Sequence, residues 1–151
     1  MKIRLLDCND AQIFRSIRLE AVHDTPMAFA ESVAEAKGRS LADFENYLDS
    51  HNRGDFVLGA FDERDALVGV VGFYREAHVQ YFHKGVIWGM YVKPAFRRRG
   101  VGAALLSAAI ERTRTLAGIR RVNLAVTSPN GAAKRLYERL GFRVYGIEPA
   151  A

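Results

Sequence analysis

Hydrophobic and polar positions divide this chain into helical and strand-like stretches. Lys2 to Leu6 reads as a short first strand. Asn9 or Asp10 then offers an N-cap for a helix whose residues Ile13, Phe14, Ile17 and Ala21 share one face. Thr25-Pro26 breaks that helix, and Pro26 suits the start of a short one through Met27, Phe29 and Ala30. Gly38-Arg39 is a turn, and Ser40 with Asp43 resembles a capping box for a helix carrying Leu41, Phe44, Tyr47 and Leu48. After Gly54 the pattern turns β-like: Phe56 to Phe61 and Leu67 to Tyr74 form a hairpin around the polar turn Asp62 to Ala66. Tyr81 to Val92 is the next strand, with Gly85 and Gly89 as bulge positions. Val101, Ala104, Leu105, Ala108, Ala109 and Leu116 follow helical spacing up to Gly118. A strand at Val122 to Val126, a helix with Ala133, Leu136, Tyr137 and Leu140, and a strand at Phe142 to Tyr145 complete the pattern. There are no repeats or linkers, so the expectation is a single α/β domain over residues 1–151.

Composition narrows the class. Apolar content of 49% and charged content of 26% are those of a soluble globular chain. No run reaches the roughly 18 apolar residues of a membrane span, and Met1 to Asp7 is too short and charged for a signal peptide. Cys8 stands alone, which excludes an internal disulfide and suits a reducing cytoplasm. The four histidines and one cysteine show no metal-ligand spacing, so no metal is expected. A net charge of +5 permits an anionic partner. Nucleic acid is not implied, because the excess is accounted for locally.

That local excess lies in residues 86–102. The apolar run Val86 to Val92 leads through Lys93-Pro94-Ala95-Phe96 to Arg97, Arg98, Arg99, Gly100, Val101 and Gly102, where helical spacing begins. A helix N-terminus leaves N–H groups without partners and carries partial positive charge. Glycines there let a bulky anion approach, and the arginines add charge-assisted donors. The stretch reads as a phosphate or pyrophosphate cradle. It is not a dinucleotide fingerprint, because Leu105 replaces the third glycine and Arg120-Arg121 stand where an acid is needed. The Gly-Lys-Ser/Thr of a Walker loop is also absent.

A second motif, Asn130 through Phe142, follows one helix and one strand later. Together the two resemble the GCN5-related N-acetyltransferase (GNAT) superfamily. Arg97 to Gly102 matches its motif A, and Asn130, Ala133, Leu136, Tyr137, Gly141 and Phe142 match its motif B. The likeness extends back through Ile3-Arg4-Leu5 and Arg18-Leu19-Glu20-Ala21. It implies a mixed, mostly antiparallel sheet flanked by helices. It further implies that backbone N–H groups from Arg97 to Ala103 (through Arg98, Arg99, Gly100, Val101 and Gly102) hold the pyrophosphate of acetyl-CoA. By the same resemblance the pantetheine arm pairs with Met90, Tyr91 and Val92, where that strand splays from the one at Val122 to Val126. An N–H near Met90 would polarise the thioester carbonyl. Asn130 would bind the pantetheine amides, Ala133 would border the cofactor, and Tyr137 would protonate the departing thiolate. A phenol pKa near ~10 beside a thiol pKa near ~8.5 makes that donation workable. Tyr137 also fits the apolar face of its helix, and Asn130 fits an N-cap.

The implied reaction is transfer of an acetyl group from acetyl-CoA to a primary amine, by direct attack and without metal. The segment from Arg18 to Phe29 resembles small-molecule acetylators more than ribosomal-protein ones, which implies a small amine acceptor, with a protein N-terminus or lysine as the alternative. A catalytically silent acyl-CoA-binding module is the alternative from another class. Two departures from the family stand out. Val86 to Val92 carries no acid, leaving Glu31, Glu35, Glu76, His78, His83 or water as the base. The chain also stops at Ala151, short of the usual last strand. The expectation is a hole in the sheet with an open edge, a second copy filling it as a homodimer, or a shortened product.

Overall fold

The computed structural model describes residues 1–24, 37–49, 54–76, 83–124 and 131–143. Five strands, β1 (Lys2–Leu5), β2 (Phe56–Phe61), β3 (Leu67–Arg75), β4 (Lys84–Val92) and β5 (Arg121–Asn123), form one sheet in that spatial order. The first four pair antiparallel, whereas β5 pairs parallel to β4. Helices α1 (Ala11–Asp24) and α2 (Leu41–Leu48) cover one face, and α3 (Val101–Arg114) with α4 (Gly131–Arg139) the other.

Burial on both faces explains why β2 and β3 read as continuous apolar runs and not as alternations. On β2, Val57 and Phe61 join Phe14, Ile17 and Phe44 beneath α1 and α2. Phe56, Leu58 and Ala60 join Val101, Leu105, Leu106 and Ala109 beneath α3. No described helix is long and apolar enough to cross a membrane.

The entry to α1 departs from expectation. Its cap is Asp7, which opens a 3-10 turn at Cys8–Asp10 that runs into the helix. Asp10 closes a capping box on the Asp7 N–H and accepts two hydrogen bonds of 2.9 Å from Arg4. That pairing holds the Asp10 carboxyl below its ordinary pKa, against the opposing effect of burial. The box at α2 forms as its spacing suggests: Ser40 Oγ accepts from the Asp43 N–H, and Asp43 Oδ2 from the Ser40 N–H. Cβ built at Gly85 would fall on the Phe73 ring, so Gly85 makes room for packing and Gly89 alone marks the β4 bulge. Phe142 and Arg143 are not in a strand. The expected helix at Met27 to Ala30 and the strand residues Ala125, Val126, Val144 and Tyr145 lie outside the described residues.

Candidate functional site

Strand β4 carries an irregularity that sets out the site. Tyr91 pairs with Val70 and Trp88 with Gly72, so three steps on β4 match two on β3. Gly89 takes up the extra residue at φ +64°, a left-handed conformation that glycine adopts without a Cβ penalty. The bulge inverts the alternation. Trp88 and Tyr91, three apart, both face the α1/α2 side, while Met90 and Val92 face α3 and α4.

Backbone direction follows the same logic. The Lys93 N–H donates to the Val68 carbonyl at 2.9 Å, so Lys93 and Tyr91 turn their peptide groups toward β3. Those of Met90 and Val92 therefore turn to the opposite edge. Among the described residues that edge is unpaired beyond Val86, because β5 matches β4 only at Lys84–Arg121, Gly85–Val122 and Val86–Asn123. Of the three residues expected along the pantetheine arm, Met90 turns its backbone groups and Val92 its N–H to the gap, the Val92 carbonyl accepting from the Arg97 side chain. Tyr91 offers its own to β3.

The chain then passes a short turn, Pro94–Phe96, and reaches α3 in an unusual backbone. Arg98 has φ +63° and Gly100 φ +79°, with Arg99 between them at negative φ. Alternating signs of this kind turn successive N–H groups toward one concave side, an anion-binding nest. No side chain caps the helix at Gly100. The Ala104 N–H donates to the Gly100 carbonyl at 2.9 Å, which leaves those of Val101, Gly102 and Ala103 as the unsatisfied first-turn donors. Cβ built at Gly100 would meet nothing within 4 Å, so the cradle mouth is open. Gly102 faces Leu136, Met90 and Val92, at 3.6 to 3.8 Å from its built Cβ.

The arginine triplet does not act as one group. Arg98 and Arg99 are exposed beside the nest, with Arg99 over the Phe96 ring at 5.5 Å. Arg97 is committed elsewhere, contrary to its expected place among the anion donors. Its backbone N–H reaches the Pro94 carbonyl at 3.3 Å. Its side chain donates to the Val92 carbonyl and to Asp24 Oδ2, each at 2.9 Å. The buried Tyr91 hydroxyl donates to that same Asp24 oxygen at 3.1 Å. Burial and the Asp24 carboxylate push the Tyr91 phenol up to about 12. The last residue of α1 is thereby tied to both β4 and the cradle. Nothing in the sequence spacing signals this junction.

On α4, Tyr137 packs into the apolar cluster that holds Met90 and Val92, edge-on to Phe142 at 6.3 Å. Burial raises its phenol pKa, so it stands protonated at neutral pH and could donate a proton. Asn130 lies outside the described residues, and for Ala133 only the backbone is described. Among the base candidates, Glu76 and His83 sit at the far end of β4: the Glu76 N–H donates to Lys84, and the His83 carbonyl accepts from Arg120. Met90 lies six residue steps along the strand from Lys84, roughly 20 Å, so neither reaches the bulge. Glu31, Glu35 and His78 lie outside the described residues. Across β4, on the α1/α2 side, Trp88 forms one wall of a cavity of about 260 Å³.

Residues 19–142 match the model of the acetyltransferase (GNAT) family. The chain belongs to this family. Over 110 residues this GNAT chain is 31% identical to the L-methionine sulfoximine/L-methionine sulfone acetyltransferase of Pseudomonas aeruginosa, a match covering 72% of this chain and 63% of that protein. The chain thus spans less than two thirds of that relative. It is also 35% identical over 92 residues to the mycothiol acetyltransferase of Propionibacterium freudenreichii subsp. shermanii, covering 61% of this chain and 29% of the relative. In three dimensions it is similar to an acetyltransferase of the GNAT family from Streptococcus pneumoniae. That comparison has a TM-score of 0.84 at 23% identity and covers 99% of this chain and 92% of the other. The five-stranded sheet with helices on both faces is therefore the GNAT fold.

Proposed function

We propose that this chain is an acetyl-CoA-dependent N-acetyltransferase acting on the primary amine of a small molecule. The observation that carries the reading is the uncapped, left-handed entry to α3 beside an unpaired β4 edge. A diphosphate fits the first, and an amide-bearing arm fits the second. The N–H groups of Arg98 to Ala103 bind the diphosphate, with the Arg98 and Arg99 side chains adding charge. The edge at Met90 and Val92 pairs with the pantetheine arm, and the Met90 N–H stabilises negative charge on the thioester oxygen. Bound acetyl-CoA supplies an activated acyl group that a neutral amine can attack directly. Tyr137, kept neutral by burial, protonates the sulfur as the thiolate leaves. The two relatives are named for small molecules, which supports an acceptor of that size. A cytoplasmic location accords with the free Cys8.

Calorimetry with acetyl-CoA and a thiol-release assay across a panel of amines test this. Binding followed by thiol release with at least one small amine is expected. Failure to bind acetyl-CoA refutes it, and binding without turnover on any amine leaves an acyl-CoA-binding module.

A further inference from the structure

Two carboxylates on the last turns of α1 reach across to the loop that joins β4 to α3. Glu20 Oε2 lies 3.6 Å from Lys93 Nζ, and Asp24 Oδ2 lies 2.9 Å from Arg97 Nη2. Glu20 and Asp24 stand four apart on one face of the helix, and Lys93 and Arg97 stand four apart along the loop. A carboxylate at the C-terminal end of a helix opposes the helix dipole, so by itself Asp24 weakens α1. What offsets that cost is the pair of groups it holds on one oxygen, the Arg97 guanidinium and the Tyr91 hydroxyl.

The loop closes into a ring. The Val92 carbonyl accepts from Arg97 Nε, and the Phe96 N–H donates to the Lys93 carbonyl, each at 2.9 Å. Pro94 adds a fixed φ. The Val92–Lys93 peptide is pinned at both ends, because its N–H donates to the Val68 carbonyl at 2.9 Å. Val92 belongs to the edge assigned above to the pantetheine arm, and Arg97 is followed at once by the nest at Arg98 to Gly100. The ring therefore sets the distance and angle between two anchors that a single ligand must reach together. Such a ligand outbinds its separate halves only while that span is matched. Asp24 grips the outer arm of the Arg97 fork and so keeps its Nε on Val92.

We propose that Asp24 is a positioning residue for acyl-CoA: through Arg97 it holds the Met90–Val92 edge and the diphosphate nest at the span that one ligand molecule needs. It acts by way of Arg97 and not by contact with the ligand. The role rests on the acetyltransferase reading above, and it adds α1 to the parts of the chain that decide CoA affinity.

The test compares, by calorimetry on the full chain, the Kd for CoA with that for ADP, which carries a diphosphate and no arm. Asp24→Ala and Arg97→Lys should each weaken CoA about tenfold and leave ADP within about twofold of wild type. Lysine keeps the charge of Arg97 but has no fork to reach Val92 and Asp24 together. A loss in this exposed variant therefore separates the strut from simple attraction of the diphosphate. The double variant should weaken CoA no more than either change alone, because both break the same path. A CoA affinity that either single variant retains, ADP weakened in step with CoA, or losses that multiply in the double variant would overturn the positioning role and leave the transferase reading in place. No CoA binding by the wild-type chain would overturn both.

Discussion

Replacing Gly100 with alanine should weaken CoA binding beyond its cost to the fold. Gly100 sits at φ +79° and its built Cβ touches nothing within 4 Å, so the structural cost is conformational alone. A left-handed alanine costs about 1–2 kcal/mol. For a chain of this size each kcal/mol moves Tm by ~2–4 °C, which gives a drop of about 2–8 °C. Gly118→Ala provides a matched control: it has φ +82°, and its Cβ makes only an ordinary contact with Arg75 Nη2 at 3.6 Å. The length of α3, about 20 Å, separates it from the cradle. In Gly100→Ala the new methyl enters the cradle mouth and disrupts at least one charge-assisted N–H contact, worth ~1.5–3 kcal/mol, or roughly 10–100-fold in Kd. Gly118→Ala should melt at a similarly reduced temperature and keep the wild-type Kd within about twofold. Thermal melts and CoA calorimetry on both variants make the comparison. If both bind CoA equally well, the turn at Gly100 is not the diphosphate site.

Two further outcomes test other parts of the molecule. Tyr137→Phe should lower kcat by about 100-fold while leaving the CoA Kd unchanged, as expected for loss of a general acid; unaltered thiol release would remove Tyr137 from proton transfer. Asp10→Asn should destabilise the chain by about 1–2 kcal/mol at pH 7 through loss of the Arg4 pair and the cap. Because the Asp10 pKa is lowered in the folded state, its contribution is complete above the unfolded value near ~4. The difference in Tm from wild type should then shrink as the pH falls through the lower folded-state value. An equal difference at pH 7 and pH 2.5 would contradict this.

Local chemistry was the legible part of the fold. Ser40 and Asp43, three residues apart, announce their capping box, and Asp62 to Ala66 announces the hairpin. Gly89 was recognisable as a bulge position, although Gly85 looked equally suited until packing against Phe73 distinguished them. What escaped depends on long separation. Tyr91 and Arg97 converge on Asp24 across 67 and 73 residues, so three arginines in a row gave no hint that the first serves as a strut. The face occupied by Trp88 was likewise hidden, because a bulge cancels the period-two rule by which strand faces are read. Arg18 and Arg39 fall in separate stretches, and only the packing of α1 and α2 against β4 brings them around one cavity.

The meeting of β4 and β5 has a mechanical consequence. Within the described residues a mere three residue pairs stitch these strands, all at the Lys84 end of β4. A molecule bonded along the Met90–Val92 edge takes the place of a neighbouring strand there. Occupancy of that edge and the rigidity of β4 are thereby linked.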